Sequence, residues 1–167
     1  PTIDNALEFV TNCITEVGLK PEKDLSIAID VASTQFFNGD KYKLSALGKE
    51  FSREEFVTFI SKMVSDHPIL SIEDPFAEND WASWKQFMAT APKNLQVLGD
   101  DLFTTNLARL QRGIDEKSAN AILYSLDRCS RFRFFSILSI INRYKSLILL
   151  QSNNTQLIQL YNYESYY

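Results

Sequence analysis

Apolar positions along the chain alternate between two periods. Over residues 2–21, TIDNALEFVTNCITEVGLKP, they fall at Ala6, Leu7, Val10, Ile14 and Val17, close to the 3.6-residue repeat of an amphipathic helix. Gly18 and Pro21 supply its stop. DLSIAIDVA then reads as a short β-branched strand. QFFNGDKYKL sets Asn38-Gly39-Asp40 between aromatic flanks and predicts a hairpin. In SREEFVTFISKMVSDH, Ser52 and Glu55 form a capping box, and Phe56, Phe59, Ile60 and Met63 give one apolar helical face. ILSIEDPF is a second strand. NDWASWKQFMATAP is a helix starting from Asn79 or Asp80, with Trp81, Trp84, Phe87 and Met88 inward. LQVLGDDL is a third strand, TNLARLQRGIDEKS a helix capped by Thr105 or Asn106, and ANAIL the start of a fourth strand. Alternating strands and helices predict a parallel sheet covered by helices. An open doubly wound sheet and a piece of a (β/α) barrel both satisfy that order. No glycine-rich phosphate loop follows any strand, which counts against dinucleotide binding.

Composition changes this picture at one place. Residues 1–123 carry 12 basic and 19 acidic side chains, net −7, whereas residues 124–167 carry 5 and 2, net +3, with no Gly, Pro, Ala or Val. The shift predicts a boundary near residue 123, dividing a 1–123 domain from a divergent 124–167 tail. The overall charge of −4 argues against nucleic acid as a partner and leaves room for a cation. Cys13 and Cys129 match no metal or redox spacing, and so few cysteines suit a reducing compartment. The first residues have no basic signal-peptide region and no start Met, so the expectation is a chain that begins inside something larger. Arg143 and Lys145 interrupt the best apolar stretch, and no membrane span is expected.

The chemistry lies in a repeat of position. The first strand ends in Asp30, the second in Glu73, and the third in Asp100 and Asp101. In a parallel α/β sheet all strand C-termini share one rim, where such folds place their sites. Carboxylates brought together there repel one another, and a hard divalent cation offsets that repulsion. An acid set without His or Cys favours Mg2+ or Mn2+ over Zn2+. Against this, an acid after a strand is often a turn or cap residue. Asp74 and Asp101 are read as turn or supporting residues. The single histidine, His67, precedes Pro68 and reads as a surface loop residue. Trp81 and Trp84 read as core, Lys41 and Lys43 as solvated.

IAIDVASTQFFNGDKYKL, SIEDPFAENDWASWKQF and VLGDDLFTTNLARLQRGIDEKSANAIL together resemble the enolase family, the glycolytic phosphopyruvate hydratases. The resemblance spans about residues 1–123. It implies an incomplete portion, about four strands, of an enolase-type (β/α)8 (TIM) barrel. It further implies a cytoplasmic carbon–oxygen lyase interconverting 2-phosphoglycerate and phosphoenolpyruvate with Mg2+, homodimeric at full length. The family's three metal ligands fall on Asp30, Glu73 and Asp100, with Glu73 and Asp100 also meeting substrate. The metal there stabilises charge when a base removes the proton α to the carboxylate.

The departures from that pattern are specific. The family's general-base lysine falls on Ser125, and a serine hydroxyl is no base near neutral pH. Its Ser-His-Arg-Ser-Gly-Glu segment and late substrate-binding lysine have no match, and its upstream glutamates, the general acid included, precede Pro1. Gln35 stands where Glu is usual, Leu107 where Pro is usual. No catalytic acid or base is therefore assigned, and turnover by this chain alone is not expected. The alternative is a non-enzymatic pseudo-enolase, or a truncated or frameshifted fragment, acting only as a binding module. The tail resembles nothing nameable. It reads as out-of-frame translation of AT-rich DNA or as a real tail with Phe134, Leu138, Ile141 and Ile148 on a helix face. An unclosed barrel leaves strand edges and apolar faces bare, so marginal stability or dependence on a partner is expected.

Overall fold

The strands succeed one another across the main sheet in chain order, and this decides between the two candidate architectures. The computed structural model describes residues 2–125, 147–151 and 158–160. Helix α1 (Ile3–Glu16) leads to β1 (Ile27–Asp30), a 3-10 turn (Ser33–Phe36), a two-stranded hairpin of β2 (Tyr42–Leu44) and β3 (Lys49–Phe51), and α2 (Arg53–Asp66). Then follow β4 (Ile69–Glu73), α3 (Trp81–Met88), β5 (Gln96–Gly99), α4 (Leu107–Glu116) and β6 (Ala121–Ser125), with β7 (Leu147–Gln151) and β8 (Ile158–Leu160) after them. The sheet order is β1-β4-β5-β6-β7-β8. Strands β1, β4, β5, β6 and β7 are parallel neighbour to neighbour, and β8 returns antiparallel. A doubly wound sheet reverses its order at a switch point. This one does not: it is a singly wound α/β barrel segment.

Side-chain alternation explains the layering. Ile27, Ile72, Val97 and Ile122 point to one face and join a single core with Leu7 of α1, Phe56 and Ile60 of α2, Trp84 and Phe87 of α3 and Leu110 of α4. All four helices therefore cover the same face. Leu98, Ala121 and Leu123 form a separate small cluster on the opposite face. Further along that face Ser71 donates a hydrogen bond to Gln96 at 2.7 Å, so it is part polar. The register pairs Asp30 with Glu73, and Glu73 with Leu98, which brings the acid-bearing strand ends side by side.

The helix signals are realised with local detail. Ser52 and Glu55 form the reciprocal capping box of α2, and Asn106, not Thr105, caps α4 by accepting from Ala108 and Arg109. Leu107 occupies the first helical position, one that suits proline equally. Two expectations need correction. Phe36 belongs to the 3-10 turn, and the Asn38-Gly39 turn closes only one bridge, Phe37 to Tyr42. The hairpin proper is β2–β3, one turn later. Asn38 ends the preceding run because its side-chain oxygen accepts from the amides of Asp40 and Lys41. Ile148 lies in β7, a strand, rather than on a helix face. Phe134, Leu138, Ile141 and Cys129 lie outside the described residues, and the compositional boundary at residue 123 falls within β6.

One packing detail fixes the loop after β5. Phe103 is buried between two glycines. A Cβ on Gly99 would stand 2.8 Å from its ring, and one on Gly113 would stand 2.3 Å from it. Alanine at a helix interior is ordinarily better than glycine by about 0.5–1 kcal/mol. Gly113→Ala should instead destabilise, by about 1–3 kcal/mol, because the buried Phe103 ring would have to shift to admit the Cβ. Urea denaturation would read this as a lowered midpoint, partly restored in Gly113→Ala/Phe103→Leu. A raised midpoint in the single variant would refute the tight fit.

Candidate metal centre

The rim is built from backbone that turns sharply as each strand ends. Ala32, two residues beyond β1, has φ +48°; Asp74, directly after β4, has φ +40°; Thr104 and Thr105, after β5, have φ +44° and +55°. Such left-handed conformations are costly for residues with a Cβ and persist where surrounding contacts impose them. Here the contacts are explicit. The Val31 amide donates to the Glu73 carbonyl at 2.9 Å and the Ser33 amide to the Asp74 carbonyl at 3.2 Å. The buried Ser33 hydroxyl donates to the Pro75 carbonyl at 2.8 Å. The Glu78 amide donates to Thr34 Oγ1 at 3.0 Å. The loops after β1 and β4 are thus fastened to each other.

On this frame the acids converge. Carboxylate oxygens of Asp30, Glu73 and Asp74 all lie within 4.8 Å of one another. Asp30 is exposed and accepts from the Ala32 amide at 3.0 Å; Glu73 is half-buried; Asp74 is buried. Burial, followed by the charges of Asp30, Asp74, Asp100 and Asp101, pushes Glu73 up to about 7. Burial likewise pushes Asp74 up to about 7, against the opposing hydrogen bonds from the backbone amides of Asp101 and Asp100. Asp100, half-buried one residue past β5, stands close enough for its charge to act on both.

This donor set fits a hard divalent cation. It consists of carboxylate oxygens alone, held on adjacent strand ends, and its members resist being ionised together without a positive charge. Of the residues singled out from the sequence, Asp30 and Glu73 are brought into one cluster and Asp100 lies beside it. Asp74, read as a turn or supporting residue, stands inside the cluster. His67 is at the opposite end of β4. Its ring is largely covered, with Nε2 3.3 Å from Asp4, in a groove of about 580 Å³ between α1 and the end of α2. Trp81 and Trp84 are core, as expected. Lys43 pairs with Glu50 at 2.7 Å with both side chains half exposed.

Two polar clamps that sequence reasoning missed hold the loop between β4 and α3. Asp80 Oδ2 accepts from the Tyr42 hydroxyl at 2.7 Å and the Ser83 hydroxyl at 2.6 Å, and Tyr42 in turn accepts from the Ala77 amide at 3.1 Å. Burial above all, then the bond to Asp80, raises the Tyr42 hydroxyl far above the usual phenol range. Arg53 lies 3.7 Å from Asp80 Oδ1. Arg109 donates to Asn79 at 3.1 Å and to the Glu78 carbonyl, and stacks over Trp81 at 5.1 Å, tying this loop to α4.

A singly wound α/β barrel segment with a carboxylate cluster at the C-terminal ends of its strands defines a class: barrel proteins whose rim is built to gather negative charge. Residues 1–132 match the enolase C-terminal TIM barrel domain. The chain is 43% identical over 122 residues to Enolase 1 of Methanospirillum hungatei, an alignment covering 73% of this chain and 29% of that protein. It is 42% identical over 123 residues to the enolase of Natranaerobius thermophilus, covering 74% and 29%. The chain belongs to the enolase family, and it spans less than a third of the length of these relatives. No helix among the described residues is long and apolar enough to cross a membrane.

Proposed function

We propose that this chain is a Mg2+-binding portion of an enolase barrel, with Asp30, Glu73 and Asp100 as the metal ligands and Glu73 and Asp100 also facing substrate. The observation that supports this is the cluster of the Asp30, Glu73 and Asp74 carboxylates, with Asp100 near enough for its charge to act on Glu73, which burial and the surrounding acids hold at about 7. The family reaction is the Mg2+-dependent interconversion of 2-phosphoglycerate and phosphoenolpyruvate. A bound Mg2+ would supply Lewis-acid stabilisation of negative charge on the substrate carboxylate. Asp30, Glu73 and Asp100 would orient it, and the fastened loops after β1 and β4 would hold them in place. With this reading go a cytoplasmic location and, for the family at full length, homodimeric assembly.

On the resemblance, the family's lysine base falls on Ser125, the last residue of β6. Its hydroxyl cannot take up the α-proton near neutral pH. The chain is therefore expected to bind Mg2+ without turning over. Titration calorimetry should show Mg2+ binding, and an ultraviolet assay for phosphoenolpyruvate should stay flat with 2-phosphoglycerate present. Phosphoenolpyruvate formation would overturn the inactivity; absence of metal binding would overturn the site. Ser125 also favours a second reading, a binding module without chemistry. Mg2+ binding that disappears in Glu73→Gln would point to a preserved enolase site, whereas no binding in either chain would favour the module.

A further inference from the structure

The geometry points to Asp74 as a positioning residue for the metal centre, one that sets Asp100 beside Glu73 before any cation arrives, rather than as a ligand itself. This rests on the metal reading above. Asp74 is buried and its backbone is left-handed. Its two carboxylate oxygens are each engaged by a different amide of the loop after β5: Oδ1 accepts from Asp100 at 3.1 Å and Oδ2 from Asp101 at 2.9 Å. Its own amide donates to the Leu98 carbonyl of β5 at 3.0 Å, and its carbonyl accepts from Ser33 in the loop after β1 at 3.2 Å. One residue thus bonds to the loops that follow Asp30 and carry Asp100, while adjoining Glu73 in sequence. Both oxygens accept from backbone N–H groups, which fixes the carboxylate plane, and on the ligand set proposed above Asp30, Glu73 and Asp100 are the carboxylates that would face a cation. Groups that orient metal ligands in this way typically change metal affinity by about 10–100-fold when altered.

Asp74→Asn tests this, because an asparagine has one acceptor oxygen for two N–H donors. The probe is Mn2+, followed by electron paramagnetic resonance, alongside amide hydrogen exchange in the metal-free full chain. Wild type should show the Asp100 and Asp101 amides protected without metal. Asp74→Asn should expose at least one of them, weaken Mn2+ by about 10–100-fold, and still bind one ion with an unchanged spectrum. Lost Mn2+ affinity with unaltered metal-free exchange would make Asp74 a ligand and overturn the inference. Exposed amides with unaltered affinity would overturn it too, leaving a loop brace without bearing on the site. Should the variant not fold, wild type still decides: amides protected only after Mn2+ is added would exclude prior positioning. A wild-type chain that binds no Mn2+ overturns the metal reading itself, a result seen before any variant is made.

Discussion

Asp80→Ala should cost about 3–5 kcal/mol of folding stability, the range for removing one partner of a buried ionic network. The Asp80 side chain is fully buried, and the substitution would strand the Tyr42 and Ser83 hydroxyls that donate to it. Each stranded buried donor costs about 1–3 kcal/mol. Arg53, 41% exposed, can return part of its charge to water, which places the expectation at the lower end, near 3 kcal/mol. In urea, with a slope of about 1–3 kcal/mol per molar, the midpoint would fall by about 1 M or more. Tyr42→Phe should cost less, about 1–3 kcal/mol, because it removes one donor to Asp80 and the acceptor for the Ala77 amide. The two effects should be non-additive, since both act on one hydrogen bond. A loss below about 1 kcal/mol in Asp80→Ala would show that the network contributes little to holding the β4–α3 loop.

Asp80 also shows where sequence reading stops. It sits next to a helix start and reads as a cap, yet its side chain makes no cap hydrogen bond to α3. Ser83 of α3 is a local partner, but the others, Tyr42 in β2 and Arg53 at the start of α2, are tertiary neighbours that no local pattern reveals. By contrast, Ser52 and Glu55 were legible because a capping box is closed within four residues. The acids at strand ends were legible for a different reason. Parallel topology places strand C-termini on one rim whatever the loops do, so Asp30, Glu73 and Asp100 could be gathered before any coordinate was known. Helix α1 marks a further limit. Its apolar repeat predicts an inward face, but only Leu7 and Ile14 are buried, while Val10 and Val17 are 44% and 72% exposed. Periodicity tells which side of a helix is apolar; how much of that side is covered depends on what packs beside it. The misplaced hairpin has the same origin. Phe36 and Phe37 both look like strand residues, but Phe36, packed on the rings of Tyr42 and Phe56, ends a 3-10 turn, and only Phe37 is extended and bridges Tyr42.

In the metal-free chain, Glu73 and Asp74 should make stability fall as pH rises from about 5 to about 8. Both are held at about 7 when folded, above their ordinary values of 4.5 and 3.8. Between those ordinary values and 7 the folded state binds more protons than the unfolded chain, so raising the pH through this window favours unfolding. Glu50 and Glu116 are shifted the other way, lowered by hydrogen bonds to Lys43 and Arg112. Their contribution is lost only as pH falls below about 4.5, so they are silent across the window. Glu73→Gln should make the slope shallower, because a neutral amide does not titrate, while Asp74, shifted mainly by its own burial, keeps its part of the slope. Mg2+ should reverse it in wild type. At pH 8 the carboxylates are ionised and binding adds RT ln(1 + [Mg2+]/Kd) to stability. Below about pH 7 each proton that must be displaced weakens binding by about tenfold per pH unit. Urea midpoints at pH 5.5 and 8.0, with EDTA and with millimolar Mg2+, in wild type and Glu73→Gln, give the full comparison. Metal-free stability that climbs from pH 5.5 to 8.0 equally in both chains would contradict a strained carboxylate cluster. A Mg2+ response that survives Glu73→Gln would remove Glu73 from the ligand set. The expected pattern is a falling slope that Mg2+ inverts and the amide makes shallower, because burial first, and the neighbouring charges after it, keep these carboxylates protonated until a cation joins them.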